Sequence, residues 1–168
     1  MRVAVFPASF DPITCGHVDI ATRASQLFDR LIVAVYAHPK KDVMFSLEER
    51  LAMVRESLET LEQVEVKSFE GLVVNFCRKE GAGVLVRGLR AVADFQYEFQ
   101  QASLNRKMLP GLEVICMFAS MEYGFLSSSI IKEIAQNGGD VSSMVPAPVA
   151  RRLVDHFSFV SPPLASGG

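Results

Sequence analysis

Pro7-Ala8-Ser9-Phe10-Asp11-Pro12-Ile13-Thr14-Cys15-Gly16-His17 joins a short apolar run, Val3-Ala4-Val5-Phe6, to a periodic stretch from Val18 to Phe28. The apolar run reads as a buried strand and the periodic stretch as a helix. Two prolines and a glycine break the join, as a strand-to-helix crossing requires. Thr14 is placed to cap the helix, its hydroxyl accepting from an amide that has no intrahelical partner. Those first amides, at the positive end of the helix dipole, would face the crevice above the strand ends, where phosphate binds well. His17 falls in the first turn and looks into the same crevice, beside the Ser9 hydroxyl. An ordinary loop-to-helix junction is the alternative at this point.

Outward from this segment the pattern repeats. Leu31-Ile32-Val33-Ala34-Val35 is a second uninterrupted apolar strand, followed by the polar loop His38-Pro39-Lys40-Lys41-Asp42. Ser46-Leu47-Glu48-Glu49 has the capping-box pattern and opens a helix with Leu47, Leu51, Val54, Leu58 and Leu61 on one face. Val64 to Phe69 alternates, as a half-exposed strand near a sheet edge does. Gly71 to Phe76 leads into a short helix ending near Gly81. Val84-Leu85-Val86 is a fourth strand, running straight into Arg87-Gly88-Leu89-Arg90. A long helix, roughly Asp94 to Met108, has Phe95, Phe99 and Ala102 at core spacing and Glu98 and Asn105 on other faces. Val114 to Phe118 is a fifth strand, Ser127-Ser128-Ser129 starts a helix from Ile130 to Gln136, and a last helix spans Val149 to His156. Five strands alternating with helices predict an α/β fold: a Rossmann-like, doubly wound five-stranded parallel sheet with helices on both faces. Residues 1–160 form one domain and 161–168 a flexible C-terminal tail.

A length of 168 residues suits one domain, and a hydrophobic fraction of 49% supplies a sizeable core. The formal net charge of -2 offers no basic field to nucleic acid, so any anion site must be a local cluster. Cys15, Cys77 and Cys116 are far apart and form no CxxC pair. That argues against a disulfide framework or structural zinc and fits a reducing cytoplasm; Cys15 reads as a filler residue. The N-terminus lacks a signal-peptide pattern and no apolar stretch is long enough to span a bilayer, so no membrane partner is expected.

Ligands in doubly wound sheets bind beyond the carboxyl ends of the strands, at the switch point. Four segments follow strands there: Ser9 to His17, Lys40-Lys41, Arg87 to Arg90, and Tyr123 to Ser129. Lys40-Lys41 also reads as a solvated pair, and Ser127 to Ser129 as a plain N-cap run. Arg87, directly after a buried strand, needs a partner or must reach the crevice mouth. Gly88 serves either close backbone approach or a positive φ. His38 and His156 read as surface or loop histidines, and no His/Asp/Glu spacing marks a tight metal site. Walker A and GxGxxG fingerprints are missing. Many anion binders with few acid–base groups suit phosphoryl or nucleotidyl transfer, where positioning and charge stabilisation supply most of the catalysis.

Ser9-Phe10-Asp11-Pro12 followed by Thr14-Cys15-Gly16-His17 resembles the TxGH signature of the nucleotidyltransferase superfamily. Phe45-Ser46-Leu47-Glu48-Glu49-Arg50, Arg87-Gly88-Leu89-Arg90-Ala91-Val92-Ala93-Asp94-Phe95 and Ser127-Ser128-Ser129-Ile130-Ile131-Lys132-Glu133 narrow the likeness to the bacterial phosphopantetheine adenylyltransferases. The resemblance implies transfer of an adenylyl group from ATP to 4′-phosphopantetheine, giving dephospho-coenzyme A and pyrophosphate, with Mg2+. It implies catalytic roles for His17, as transition-state stabiliser, and for Lys41 and Arg90. It implies ATP contacts from Ser9, Phe10, His17, Gly88, Leu89, Arg90, Glu98, Tyr123, Gly124, Phe125, Leu126, Ser127, Ser128 and Ser129. Ser9, Lys41, Val73 and Arg87 would line the phosphopantetheine site. A homohexamer built as a dimer of trimers, inhibited by coenzyme A, is implied as well.

Three positions depart from the family's pattern. Ser9 stands where some members have threonine, Tyr123 where some have tryptophan, and Gln96 replaces an acid and is expected to point away from the substrates. The nucleophile would be a phosphate monoester, already ionised near neutral pH because its second pKa is about 6, so no general base is needed. Nicotinate mononucleotide adenylyltransferases and cytidylyltransferases share the TxGH or HxGH motif, but the RGLR and SSSIIK stretches count against them. A nucleotide-binding regulatory protein is the alternative from another class; His17, Lys41 and Arg87 speak against it.

Overall fold

Strand β1 (Val3–Ala8) leads to helix α1 (Cys15–Ser25), then β2 (Arg30–Tyr36), α2 (Leu47–Leu58), β3 (Val64–Phe69) and α3 (Val73–Glu80). The second half runs β4 (Val84–Leu89), α4 (Val92–Met108), β5 (Glu113–Phe118), α5 (Ser128–Gln136) and α6 (Ala147–Ser158). The computed structural model describes residues 1–40, 42–90 and 92–158, with the side chains of all but Val92 and Ala93. The expected tail, residues 161–168, and the last two residues of the expected domain lie outside the described residues, as does Lys41.

All strand pairs are parallel and the order is β3-β2-β1-β4-β5. The chain winds outward from β1 to β3, then returns to build β4 and β5 on the other side. Strand order therefore reverses between β1 and β4. Their described ladder is confined to Ala4–Val84 and Val5–Leu85, so the two strands are unpaired toward their carboxyl ends, and a crevice opens there.

Alternate residues of β1 and β2 serve two cores, as the period of a strand requires. Ala4, Phe6, Leu31, Val33 and Val35 join Ile20, Met53, Ile131 and Leu153 on one face. Val3, Val5, Ile32 and Ala34 join Val74, Cys77, Leu85 and Leu112 on the other. Both faces of the central strands are covered, which is why they read as unbroken apolar runs.

Three expectations are corrected. Helix α1 starts at Cys15 rather than Val18 and ends at Ser25, because the Thr14 cap draws the Cys-Gly-His turn into the helix. Strand β4 continues to Leu89, which places Arg87 and Gly88 on the strand instead of beyond it. The faces of α4 are the reverse of those expected. Phe95 and Phe99 are 56% and 62% exposed, whereas Glu98 and Asn105 are buried. The reason is electrostatic: Arg87 draws Glu98 inward, and that sets the rotation of the helix. Edge strand β5 is also open, with Phe118 74% exposed. Among the described residues no helix is long and apolar enough to cross a membrane.

Candidate active site

The turn between β1 and α1 is built to hold one imidazole. Thr14 caps α1: its hydroxyl accepts from the His17 amide at 3.3 Å, and its own N–H donates to His17 Nδ1 at 3.1 Å. Thr14 Oγ1 lies 3.0 Å from the same nitrogen. Because Nδ1 accepts the amide, the proton of the neutral ring resides on Nε2. Phe10 supports the other side, edge-on to the imidazole with ring centroids 5.1 Å apart. Phe10 is buried with φ 48°, a left-handed conformation that costs a bulky residue about 1 kcal/mol. The expectation that the α1 amides face the crevice holds only in part: the Cys15 N–H is taken by the Met144 carbonyl and that of His17 by Thr14. Burial and the nearby Glu122 carboxylate push the Cys15 thiol up, away from reactivity.

Both arginines expected at the crevice are there, and both are already paired. Arg87 makes a bidentate pair with Glu98, two bonds of 2.7 Å, and donates to the Pro7 carbonyl at 3.1 Å. Arg90 holds Asp94 at 3.2 and 3.3 Å and reaches the Leu126 carbonyl at 3.4 Å. Each uses three of its five N–H groups in these contacts, leaving two for a ligand. Gly88 meets the close-approach expectation, not the positive-φ one: a Cβ there would lie 2.6 Å from Ile20 Cδ1 of α1.

A cavity of about 720 Å³ gathers Ser9, Phe10, His17, Arg87, Gly88, Arg90, Glu98, Tyr123, Leu126 and Ser127 to Ser129. Ser127 caps α5 by accepting from Ile130 N–H, so the plainer reading of that serine stands. Ser128 donates to the Pro12 carbonyl at 2.8 Å, tying α5 to the turn that orients His17. The first amides of α5 have no intrahelical acceptors and form a positive end on the cavity. A second cavity of about 450 Å³ shares Ser9, Arg87 and Glu98 with the first and adds Leu72, Val73, Leu104 and Met108. Leu89, Gly124 and Phe125 line neither cavity: Leu89 is buried with its carbonyl on Ala119 N–H, and Phe125 is 68% exposed. Gln96 lies outside both cavities, as expected.

Sequence reasoning gave no role to Asp11, Arg50 or Lys132, although all three stand in quoted motifs. Asp11 is fully buried, accepts from the Met44 and Phe45 amides at 3.0 Å, and pairs with Lys132 Nζ at 2.6 Å. Burial alone would raise its carboxyl; the Lys132 ammonium and the two amides outweigh that and hold it below the usual carboxylate range. Arg50 is 1% exposed and donates to four backbone carbonyls. A sequence shows a charge but not that it is buried; the one available signal was a charged residue at a core-facing helix position.

No group of three His, Cys, Asp or Glu side chains among the described residues could hold a metal. The two carboxylates at the first cavity, Asp94 and Glu98, are each on an arginine. These residues do not fit a resident metal ion.

The cytidylyltransferase-like family model matches residues 5–134. A phosphopantetheine adenylyltransferase of Caldanaerobacter subterraneus subsp. tengcongensis is 49% identical over 94% of this chain and 98% of its own. One from Carboxydothermus hydrogenoformans is 50% identical over 94% and 97%, and one from Herpetosiphon aurantiacus 52% identical over 91% and 93%. A solved structure from Vibrio parahaemolyticus, titled as a nicotinate-nucleotide adenylyltransferase, superposes with a TM-score of 0.69 over 92% of each chain. At 18% identity that likeness speaks to the fold alone.

Proposed function

The chain belongs to the phosphopantetheine adenylyltransferases, nucleotidyltransferases that move an adenylyl group from ATP to 4′-phosphopantetheine in coenzyme A synthesis, and we propose that its crevice does so by in-line attack with His17 stabilising the transition state. One observation carries the residue assignment: the imidazole, with Nδ1 already bonded, lines the same cavity as both guanidinium groups and the positive end of α5.

In this reading the α-phosphate lies at His17, whose Nε2–H donates to the oxygens that gain charge as the five-coordinate centre forms. The β- and γ-phosphates lie against Arg90 and the N-terminus of α5, near Ser129. Tyr123 and Leu126 sit beside the nucleotide. The pantetheine arm occupies the adjoining apolar cavity along Val73 and Leu104. Its phosphate stands at the junction, where Ser9 and Arg87 line both spaces, and Lys41 adds a further cation. Nucleophile and leaving group then lie on opposite sides of the α-phosphate. Mg2+ enters with ATP as part of the substrate, held chiefly by phosphate oxygens and water. Coenzyme A, which carries product features into both cavities, inhibits by occupying them. The exposed aromatics Phe95, Phe99 and Phe118 support assembly into the homohexamer, a dimer of trimers. Three unpaired cysteines fit a cytoplasmic setting.

Pyrophosphate release with ATP and each of 4′-phosphopantetheine and nicotinate mononucleotide tests this. Turnover is expected with the first acceptor only; a zero rate with 4′-phosphopantetheine beside tight ATP binding would overturn it.

A further inference from the structure

The chain leaves β2 at Tyr36 and Ala37 and comes back at Met44 and Phe45 ahead of α2, and both of these ends are tied to the β1–α1 turn by buried charges. Arg50 takes the outgoing stem: Nη1 donates to the Tyr36 carbonyl and Nη2 to that of Ala37, at 2.8 and 3.2 Å. The same Nη1 reaches the Ser9 carbonyl at 2.8 Å, and Nε the Phe45 carbonyl at 3.2 Å. Asp11 takes the returning stem, one oxygen accepting from both Met44 and Phe45 amides at 3.1 and 3.0 Å. Its other oxygen is closed off by Lys132, whose side chain is 18% exposed. Asp11 follows Phe10, which supports the imidazole, and precedes Pro12, whose carbonyl takes the Ser128 hydroxyl. The two ends of the β2–α2 connection, the imidazole and the α5 terminus thus share one frame.

Burying ions is a poor route to stability, since apolar side chains of the same volume commonly do as well or better. It is an effective route to fixed position, because a guanidinium with four carbonyls, or a carboxylate with two amides, admits one arrangement. We propose that Asp11, sealed by Lys132, and Arg50 are positioning residues for adenylyl transfer, holding Ser9 and the two ends of the β2–α2 connection, at 36–37 and 44–45, so that the acceptor's phosphate meets His17 in line. This deepens the adenylyl-transfer reading and rests on it.

The test compares two double variants that remove the buried Asp11–Lys132 pair together; both take the same carboxylate charge away from Arg50, so that effect cancels between them. Asp11→Asn with Lys132→Met keeps an oxygen for the two amides; Asp11→Ala with Lys132→Met removes it. Pyrophosphate release is measured with each substrate varied in turn, and melting is followed in parallel. The Asn variant is expected to keep the 4′-phosphopantetheine KM within about 3-fold of wild type, and the Ala variant to raise it about 10-fold with the ATP KM little changed. Equal shifts in both KM values, or no difference between the two variants, would overturn the inference. Should the Ala variant not fold, Arg50→Lys decides: it keeps the charge but cannot span four carbonyls, so the same one-sided rise is expected and an even one refutes. An inactive wild type in this assay removes the adenylyl-transfer reading and this inference together, whereas an active wild type with even shifts removes only the positioning role.

Discussion

Replacing His17 by alanine separates what the imidazole does for the fold from what it does for the reaction. Structurally it forfeits the bond from Thr14 N–H to Nδ1 and the edge contact with Phe10. Those are worth about 1 kcal/mol each, so stability should fall by about 2 kcal/mol. In a chain of this length the melting temperature then drops by about 4–8 °C. A domain with a total stability of about 5–15 kcal/mol remains essentially folded at 25 °C after that loss. Chemically the variant lacks one preorganised donor at the α-phosphate, a loss of about 2–3 orders of magnitude in kcat. Because the donor's bond strengthens only as charge develops, both KM values should stay within about 3-fold. The assay is initial-rate pyrophosphate release at saturating ATP and 4′-phosphopantetheine, beside a thermal melt. Thr14→Ala is the control: it loses the capping hydroxyl but keeps the backbone N–H to Nδ1, so it should melt earlier by about 2–4 °C with kcat reduced less than about 10-fold. A His17→Ala enzyme with kcat within about 3-fold of wild type would refute the role given to the ring.

Lys41→Ala should weaken 4′-phosphopantetheine binding more than ATP binding, and calorimetry showing equal losses would contradict the assignment. Gly88→Ala puts a Cβ 2.6 Å from Ile20 Cδ1, the movable end of that side chain, so the cost should sit at the low end of overpacking, about 1 kcal/mol; Ile20→Val, which removes that methyl, should cost less beside Gly88→Ala than alone in urea titrations. The folded-state pKa of Asp11 lies below its ordinary 3.8, so the unfolded chain takes up that proton first as pH falls. The carboxylate's contribution is therefore complete above that value and lost below it. Urea midpoints should decline more steeply with acid for wild type than for Asp11→Asn, and parallel curves would speak against the pairing. Phe118→Asp on the open edge strand should shift the assembly toward smaller species in sedimentation velocity; an unchanged profile would exclude that face as an interface.

The parallel sheet was legible because β1 and β2 are buried on both faces, so their residues carry one unambiguous signal. Thr14 and Ser46 were legible as caps because capping depends on neighbours three residues away. Helix α4 is the exception, because its aromatic periodicity does not mark the core. Its aromatic stripe is exposed, and a carboxylate turned inward by an arginine from another element decides its rotation. No local pattern carries that information. The same limit hid Asp11, Arg50 and Lys132: each partner lies on a different element, so their pairing exists only after the chain has folded. The positive crevice expected from Arg87 and Arg90 is likewise moderated by Glu98 and Asp94, both visible in the sequence but not as partners.

That moderation bears on selectivity. An unladen crevice whose guanidinium groups are already matched by carboxylates is poor bait for stray inorganic phosphate. A long, jointed substrate fares better, because it can satisfy the leftover N–H groups, the helix amides and the apolar trough all at once. Discrimination then arises from how many separate footholds a molecule reaches, and charge by itself admits nothing.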